Sequence, residues 1–368
     1  MTVVFYISGH GFGHASRDVE IINALDGLAP SLEILIRSAV SPDLLSRTLR
    51  VPYTLRPGAC DSGIAQSSSV THDDDATVRE AAEFYSRFEP RIAEETALLS
   101  SENVRLVVGD IPPLAFEVAE RLHVPSMAIG NFTWDWIYET QPAFDTLPWL
   151  VPMIRTAYKK TTRALELPFA GGFDVFPSVR RMPLVARRPT RTRADTRAHF
   201  GVPADRPAAL LSFGGYGLPS LDLSALDCLD RWTIITTDRM TPTLSASHNL
   251  NHVVFLAEEA FLTGSFRYED LVAASDVVVT KPGYGIFAEC IASATPMLYT
   301  SRGQFREYDL LVREMPKYLR CRFISHADLF AGRWRGPLEG LIAQPVPTED
   351  IASNGAEVVA KEIVEMVA

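Results

Sequence analysis

Short apolar runs alternate with amphipathic stretches along this 368-residue chain, and that alternation constrains the fold more than any other feature. Apolar runs of about four to eight residues, bounded by glycine, proline or polar residues, are typical of strands buried in a parallel sheet. The longer stretches between them are typical of crossover helices. In the first half, strands are predicted at residues 3–8, 32–37, 53–55, 106–108 and 126–130. Helices are predicted at 14–28, 41–49, 77–100 and 114–122.

The alternation restarts after residue 207. Further strands are predicted at 209–213, 232–236, 252–256, 277–280 and 297–300. The sequence therefore predicts an α/β protein made of two facing, Rossmann-like, doubly wound domains, with ligands at the carboxyl ends of the strands. We expect the domains to span 1–185 and 186–350, and the helix at 351–368 to pack across their junction.

The stretch from 176 to 207 differs from both halves. It is rich in arginine and proline and lacks a helical apolar period, so we interpret it as an interdomain linker. The alternative is a basic patch for a phosphate or a lipid head group.

Composition narrows the class of partner. A net charge of -10 and a pI near 5.4 argue against a nucleic-acid partner or an anionic membrane. The four cysteines form no CxxC pair, so a reducing compartment is expected. The first residues lack the basic start of a signal peptide, and no apolar run approaches the roughly 20 residues that span a bilayer. We expect a cytoplasmic protein and leave peripheral membrane contact open.

The first strand runs into S-G-H-G-F-G-H-A-S-R at residues 8–17. Gly9, Gly11 and Gly13 favour a tight turn and close approach of a ligand to the amides that begin the next helix. A dinucleotide fingerprint requires a third glycine where this chain has His14. The next strand ends in Arg37, which an NADP-dependent enzyme could use, so hydride transfer stays an alternative.

The second half carries two comparable loops. L-S-F-G-G-Y-G-L-P at 211–219 follows one strand, and T-K-P-G-Y-G-I-F-A-E at 280–289 follows another. Both place backbone amides, and the second places a lysine, where a diphosphate could bind. Glu289 lies one to two turns into the next helix, within reach of sugar hydroxyls.

This set of motifs resembles the GT-B glycosyltransferases, broadly the peptidoglycan-precursor N-acetylglucosaminyltransferases and the plant nucleotide-sugar transferases. The chain is most similar to the glycosyltransferase-like N-terminal region of plant L-arabinokinases. The resemblance covers most of the chain and rests on the opening loop, C-D-S-G at 60–63, G-N-F-T-W-D-W-I-Y at 130–138, F-G-G at 213–215, and K-P-G-Y-G followed by R-G-Q-F-R-E. No P-loop motif occurs, so kinase activity is not implied.

The resemblance implies that His14 removes the acceptor proton and that Asp110, after the fourth strand, orients it. Imidazole suits this role because it titrates near neutral pH. The alternative is that both side chains only cap helices, and His10 is a second candidate base. The acceptor loop would include His10, Gly11, Gly13, Asp61 and Trp134.

The donor side follows from the same resemblance. The residues predicted to bind the diphosphate are Gly214, Gly215, Lys281, Gly283 and Gly285. Glu289 is predicted to bind the ribose, and Arg302, Gln304 and Glu307 are predicted to bind the sugar. The base, for which uracil fits, is predicted to lie against Phe255 and Leu256. Plant transferases have histidine at the position of Lys281. Retaining members of the fold often have glutamate at that position, and because this chain has none there, the resemblance favours inversion. Arg302 and Glu307 could instead form a surface ion pair.

Three further segments have two interpretations each. H-D-D-D at 72–75 contains the D-x-D spelling of Mn²⁺-dependent transferases, but acids at a helix start favour a capping role. Trp134 and Trp136 could stack on an acceptor sugar or pack in the core. The stretch at 148–160 could lie on a membrane or form an amphipathic core helix.

The sequence as a whole predicts an inverting glycosyltransferase that uses no metal and no cofactor beyond its co-substrate. It would move a sugar from a nucleoside diphosphate, with UDP favoured, to a hydroxyl of a small or lipid-linked acceptor. The alternatives are a nucleotide-sugar epimerase or hydrolase of the same fold and a non-catalytic nucleotide-sugar-binding module.

Overall fold

The chain divides into two compact units in a computed structural model. The structure describes residues 1–66, 71–214, 218, 221, 223–237, 252–257, 259–262, 265–303 and 305–368. The first unit comprises Met1–Ala65, His72–Ala186 and Ala352–Ala368, and the second comprises Gln66–Thr71 and Arg187–Ile351. Gly215 and Gln304, both predicted ligands of the donor, lie outside the described residues.

The first unit is built on a seven-stranded parallel sheet with the order β3-β2-β1-β4-β5-β6-β7. Its strands are β1 Thr2–Ile7, β2 Glu33–Ser38, β3 Thr54–Pro57, β4 Val104–Asp110, β5 Ser126–Phe132, β6 Arg163–Gly171 and β7 Val179–Arg181. The five predicted strands are all present. The prediction missed β6, which contains a glutamate and a proline, and β7, whose three residues are all exposed. Neither strand shows the apolar run of a buried strand.

Helices separate most of these strands. They are α1 Gly11–Asp26, α2 Pro42–Thr48, α3 Asp74–Ser86, α4 Phe88–Leu99, α5 Pro113–Leu122, α6 Trp134–Tyr138 and α7 Leu150–Tyr158. The single helix predicted at 77–100 is wrong, because the chain breaks at Arg87. Pro90 explains the break: its missing N–H is tolerated in the first turn of α4 but would disrupt the middle of one long helix.

The second unit has a six-stranded parallel sheet with the order β10-β9-β8-β11-β12-β13. Its strands are β8 Ala208–Ser212, β9 Thr233–Thr237, β10 Val253–Leu256, β11 Val277–Thr280, β12 Met297–Tyr299 and β13 Cys321–Phe323. The α-helices are α8 Arg193–Phe200, α9 Glu259–Leu262, α10 Tyr268–Ala274, α11 Tyr284–Ser293, α12 Arg306–Tyr318, α13 His326–Phe330, α14 Arg335–Ile342 and, returning to the first unit, α15 Gly355–Val367. Of the strands in the described part of this unit, the prediction missed β13, which is short and mostly exposed.

The stretch predicted as a linker contains the boundary between the two units, after Ala186, but it also contains β7 and α8, which the prediction missed. Thr192 caps α8 by accepting a hydrogen bond from the Asp195 amide at 3.1 Å. Several arginines of the stretch form ion pairs within their own units, among them Arg180 with Glu362, and Arg197 with an aspartate 2.7 Å away. Ion pairing therefore accounts for part of the arginine content of the stretch.

The C-terminal helix completes the core of the first unit. α15 packs on α1, and Ile363 shares a buried apolar cluster with Phe5 of β1 and Ile22 of α1. Glu362 fixes the helix by accepting from Arg163 at 2.8 Å. Helix α7 buries one face against α5 and α6, as expected for an amphipathic core helix. Within the described ranges, no helix has the length and apolarity to cross a bilayer.

Candidate functional site

The first unit places His14 beside Asp110 at the carboxyl edge of its sheet. β1 and β4 are neighbours, with Ile7 opposite Asp110, so the start of α1 lies next to the end of β4. The His14 Nδ1 atom is 2.8 Å from Asp110 Oδ1. The two residues are only 4% and 1% exposed. The sheet order thus brings together two residues that are 96 positions apart in the sequence.

Arg17, which the sequence analysis missed, completes this cluster. Its Nε donates to Asp110 Oδ2, its Nη2 donates to Oδ1, and its Nη1 donates to Asn131 Oδ1 at 2.6 Å. Burial raises the pKa of Asp110, but Arg17 and His14 outweigh it and hold the pKa below its ordinary value. Asp110 is therefore a carboxylate at neutral pH. Arg17 lies on the face of α1 that carries His14, three residues later, and that spacing was the available signal.

His14 Nδ1 has two polar neighbours of opposite kind. Asp110 is a hydrogen-bond acceptor, and Arg17 Nη2, also 2.8 Å away, is a donor. With a proton on Nδ1 the imidazole donates to Asp110, and Nε2 keeps a lone pair. Without that proton Nδ1 accepts from Arg17, and a neutral ring carries its proton on Nε2. Only the first tautomer can act as a base through Nε2.

Asp61 and Trp134 join the same edge of the sheet. The Trp134 indole N–H donates to Asp61 Oδ2 at 2.8 Å. Burial raises the pKa of Asp61, while hydrogen bonds from Ser8 and Trp134 and the nearby His14 act to lower it. Two carboxyl groups, Asp61 and Asp110, therefore act electrostatically on one histidine.

Trp134 is a buried aromatic residue and not an exposed stacking platform. It is 1% exposed and stacks on Tyr138, with ring centroids 5.5 Å apart. His10 packs edge-on against it at 5.6 Å, and the His10 Nδ1 accepts from the Ile64 amide at 3.3 Å. Of the two interpretations of this tryptophan, core packing is the one the structure supports.

The glycines of the opening loop do not require a left-handed backbone. Gly11 is the first residue of α1, and Gly13 follows within its first turn. A Cβ at Gly13 would meet no atom within 4 Å, whereas one at Gly9 would lie 3.1 Å from the Ala39 Cβ. Of these two glycines, Gly9 is the one that close packing requires, and a side chain at Gly13 would meet no neighbour.

The acidic cluster at 73–75 caps a helix. Asp73 accepts from the Ala76 amide at 2.8 Å, and Asp74 and Asp75 occupy the first turn of α3. Acids in this position stabilise the positive end of the helix dipole. The capping interpretation is confirmed, and the D-x-D spelling has a structural explanation.

The second unit gathers its predicted diphosphate ligands at the carboxyl edge of its own sheet. β8 and β11 are neighbours, with Ser212 opposite Thr280, so Gly214 and Lys281 follow adjacent strand ends. Gly214 has a φ of +69°, which favours glycine. Gly283 precedes α11, and Gly285 lies in its first turn, where amides are available to an anion.

Lys281 lies in a cationic environment. Burial first, and then the Arg302 guanidinium, lower the pKa of Lys281 to about 7, against the opposing effect of Glu307. Arg302 and Glu307 form an ion pair, and the guanidinium carbon of Arg302 lies 4.2 Å from the Phe305 ring centroid. The sequence left open a surface ion pair between these two residues. The structure contains that ion pair, but both side chains are largely buried.

Glu289, predicted to bind ribose, already has a cationic partner. It is buried in α11, and Arg187 Nε donates to its Oε1 at 2.7 Å. Arg187 Nη1 is also 3.5 Å from a carboxylate oxygen of Glu269. A ribose hydroxyl would therefore share Glu289 with Arg187. At the predicted base site, Leu256 is buried and Phe255 is 37% exposed.

Comparisons with known proteins bear on the fold. No protein-family profile matches the chain. The chain is 27% identical over 366 residues to L-arabinokinase of Arabidopsis thaliana. That alignment covers 98% of this chain but 34% of the relative, so the chain spans about a third of the length of the curated relative it matches.

Solved glycosyltransferases have the same fold. The glycosyltransferase of kitacinnamycin matches with a TM-score of 0.64 at 14% identity, covering 100% of this chain and 99% of its own. A Polygonum tinctorium UDP-glucosyltransferase capable of glucosylating indoxyl matches with a TM-score of 0.63 at 12% identity, covering 100% of this chain and 98% of its own. A UDP-glucose: anthocyanidin 3-O-glucosyltransferase in complex with UDP matches with a TM-score of 0.62 at 11% identity, covering 100% of this chain and 94% of its own. The chain has the two-domain α/β fold of the GT-B glycosyltransferases. Its predicted similarity to the peptidoglycan enzymes stays a prediction.

Proposed function

We propose that this chain transfers a sugar from a UDP-sugar to a hydroxyl acceptor, with inversion and without a metal ion. The observation that carries the proposal is the buried His14–Asp110 pair at the carboxyl edge of the first sheet. The fold supports it, because two of the similar structures are named as UDP-glucose enzymes or UDP-glucosyltransferases. A cytoplasmic location and a lipid-linked or small-molecule acceptor remain predictions.

In the proposed reaction His14 is the base. Its Nδ1–H donates to Asp110, and its Nε2 takes the proton of the acceptor hydroxyl. The acceptor oxygen then forms a bond to the anomeric carbon as the bond from that carbon to the diphosphate oxygen breaks, on the opposite face of the sugar. The bonding electrons leave with UDP. Asp110, a carboxylate at neutral pH, stabilises the imidazolium that results.

The second unit would bind the donor. Lys281 and the first amides of α11 supply positive charge for the diphosphate, and this charge is worth most when UDP departs. Fixed dipoles and one cation would then act where other transferases use a metal ion. Gly214 adds a further backbone amide, and Glu289 would accept a ribose hydroxyl by sharing its carboxylate with Arg187.

One observation favours a second candidate, a non-catalytic nucleotide-sugar-binding module. Arg17 Nη2 lies as close to His14 Nδ1 as Asp110 does, at 2.8 Å. If Arg17 is the hydrogen-bond partner, a neutral His14 carries its proton on Nε2 and cannot take one from an acceptor. The module would bind the donor through the second unit and transfer nothing.

The first experiment measures binding of UDP-, dTDP- and GDP-sugars and of NADPH to the chain by calorimetry without metal. UDP release is then followed with and without a panel of hydroxyl acceptors, for the parent, His14→Gln and the control His199→Gln, an exposed histidine of α8. We expect UDP-sugar binding by all three and acceptor-dependent release by the parent and the control alone.

Each other outcome identifies an alternative. Equal transfer by His14→Gln would exclude His14 as the base. Binding without turnover by the parent would favour the binding module. UDP release without an acceptor would favour a hydrolase, sugar isomerisation an epimerase, and binding of NADPH alone a hydride-transfer enzyme.

A further inference from the structure

Asp18 is a fully buried acid that the proposed reaction does not use. It follows Arg17 in α1 and lies one turn after His14, on the same face of the helix. It is 0% exposed. Of its charged neighbours, Asp110 and Arg17 act on it most strongly. Asp18 thus belongs to the same buried cluster as the proposed base.

The surroundings of Asp18 do not suit a negative charge. Among the residues that the structure describes, no backbone or side-chain donor bonds to either Asp18 oxygen. Arg17, the nearby cation, donates to both oxygens of Asp110 and to Asn131. Burying an ionised carboxylate without donors costs several kcal/mol, and a second carboxylate beside it adds repulsion.

The same surroundings suit a neutral acid. A protonated carboxyl group has one O–H donor, and the neighbouring Asp110 carboxylate is an acceptor for it. Burial first, and then the Asp110 charge, raise the pKa of Asp18 well above its ordinary value, although Arg17 acts to lower it. The pKa of Asp110 shifts the opposite way. Two neighbouring acids with opposite shifts are the pattern of one proton held by one member of a pair.

The charged groups on the other elements packed against α1 do not change this balance. Glu362 of α15 is bound by Arg163 and Arg180, and Tyr6 of β1 donates to Glu95 at 2.9 Å. The remaining charged groups on α2 and α15 are exposed to water, which screens them: Asp43, Arg47, Glu357, Lys361 and Glu365.

We infer that Asp18 is a carboxylic acid that keeps its proton at neutral pH and donates it to Asp110, as a positioning residue behind the His14–Asp110 pair. Asp110 then accepts from Asp18 on one side and from His14 on the other, while Arg17 neutralises its charge. The positioning role rests on the proposed function. The protonation does not, because it follows from burial and hydrogen bonding alone.

The protonation is tested by the pH dependence of folding stability. The folded chain would hold the Asp18 proton where the unfolded chain has released it, so the parent loses stability as the pH rises. Asp18→Asn removes this loss and keeps a donor for Asp110. We expect the unfolding constant of the parent, relative to Asp18→Asn, to grow by up to about tenfold per pH unit above about pH 4.

The matched control is Asp26→Asn, at an exposed acid that ends the same helix. The ratio of the unfolding constant of the parent to that of Asp26→Asn should stay constant with pH. A constant ratio for Asp18→Asn, or failure of that variant to fold, would overturn the inference, because asparagine reproduces the neutral acid. Infrared difference spectra of the parent minus Asp18→Asn at neutral pH give an independent readout. We expect a carbonyl band of a protonated carboxyl group, and a carboxylate band would contradict the inference.

The positioning role has its own readout. Asp18→Leu removes the donor, and we expect kcat of transfer to fall roughly tenfold, the worth of one hydrogen bond, with the KM for the UDP-sugar unchanged. Asp18→Asn should restore kcat to within about twofold. Equal kcat for Asp18→Leu and the parent would refute the positioning role. Absence of transfer by the parent would instead refute the proposed function and leave the stability test intact.

Discussion

The two units place different charge balances at the carboxyl edges of their sheets. In the first, the Arg17 guanidinium is bound to Asp110 beside His14, so the charge of that carboxylate is neutralised next to a group that can take a proton. In the second, Lys281 lies near Arg302 and Glu307, and these three described side chains together carry an excess of positive charge. The first arrangement suits proton transfer, and the second suits binding of an anion.

The largest expected effect comes from Asp110→Asn, which tests the proton-transfer half of this comparison. The asparagine amide can donate to His14 Nδ1 and would stabilise the tautomer whose proton is on Nε2. We expect kcat of transfer to fall by about 10³- to 10⁴-fold, with UDP-sugar affinity unchanged. The measurement is steady-state UDP release alongside calorimetry. A matching loss of donor affinity would show that the two clusters are not separate in function.

Arg17→Met tests the charge balance of the first cluster. It leaves the Asp110 carboxylate buried without its guanidinium, and we expect a loss of about 3 to 5 kcal/mol in the free energy of unfolding at neutral pH. Arg17 lowers the pKa of Asp110, so its contribution is present above the unfolded pKa of about 4 and is lost in acid. Urea unfolding should therefore show the two chains converging as the pH falls. A constant difference would mean that Arg17 stabilises by packing.

Lys281 tests the anion-binding half. Its pKa of about 7 means that its charge is lost as the pH rises through neutrality. We expect the affinity for UDP-glucose, whose diphosphate diester does not titrate there, to weaken up to about tenfold per pH unit above that value. Calorimetry in buffers of different ionisation enthalpy should detect proton uptake on binding. Lys281→Arg should bind UDP-glucose without this pH dependence, whereas Lys281→Met should bind it about 10- to 100-fold more weakly.

The smallest effect is expected for the pH dependence of stability in Trp134→Phe. It removes the indole donor to Asp61, whose pKa burial already raises. Loss of core packing destabilises the variant at every pH, and a raised pKa of Asp61 adds a cost as the pH rises, so we expect the loss in the free energy of unfolding to be about 1 kcal/mol larger at pH 7 than near pH 4. Denaturant unfolding at the two pH values measures it. Trp149→Phe, at an exposed tryptophan, is the control and should change the free energy of unfolding at neither pH.

Local patterns in the sequence were enough to predict most of the strands and the acidic cap of α3. Buried strands such as β1 and β11 are uniformly apolar, and a helix start such as Asp73 follows from capping chemistry. The break at Arg87 depended on one proline, which the apolar period of the two helices masked. β7 left no signal, because an exposed edge strand carries no buried face.

The partners of the site residues were much harder to predict. The motifs indicated His14 and Glu289 but not that Arg17 and Arg187 bind the carboxylates of these clusters. An arginine in a sequence carries no mark that separates a solvated side chain from a buried one. Burial of Asp18 was equally hidden, since its neighbours in the sequence are polar on one side and apolar on the other.

The sequence by itself determined the two parallel sheets, the glycine-rich turns at their carboxyl edges and the placement of a histidine and a lysine in those turns. These features follow from periodicity and from residue chemistry within short segments. Only the tertiary structure decided which charges neutralise one another. That choice depends on strand order and register, which join Asp110 to His14 across 96 positions, and no local pattern encodes a contact over such a distance.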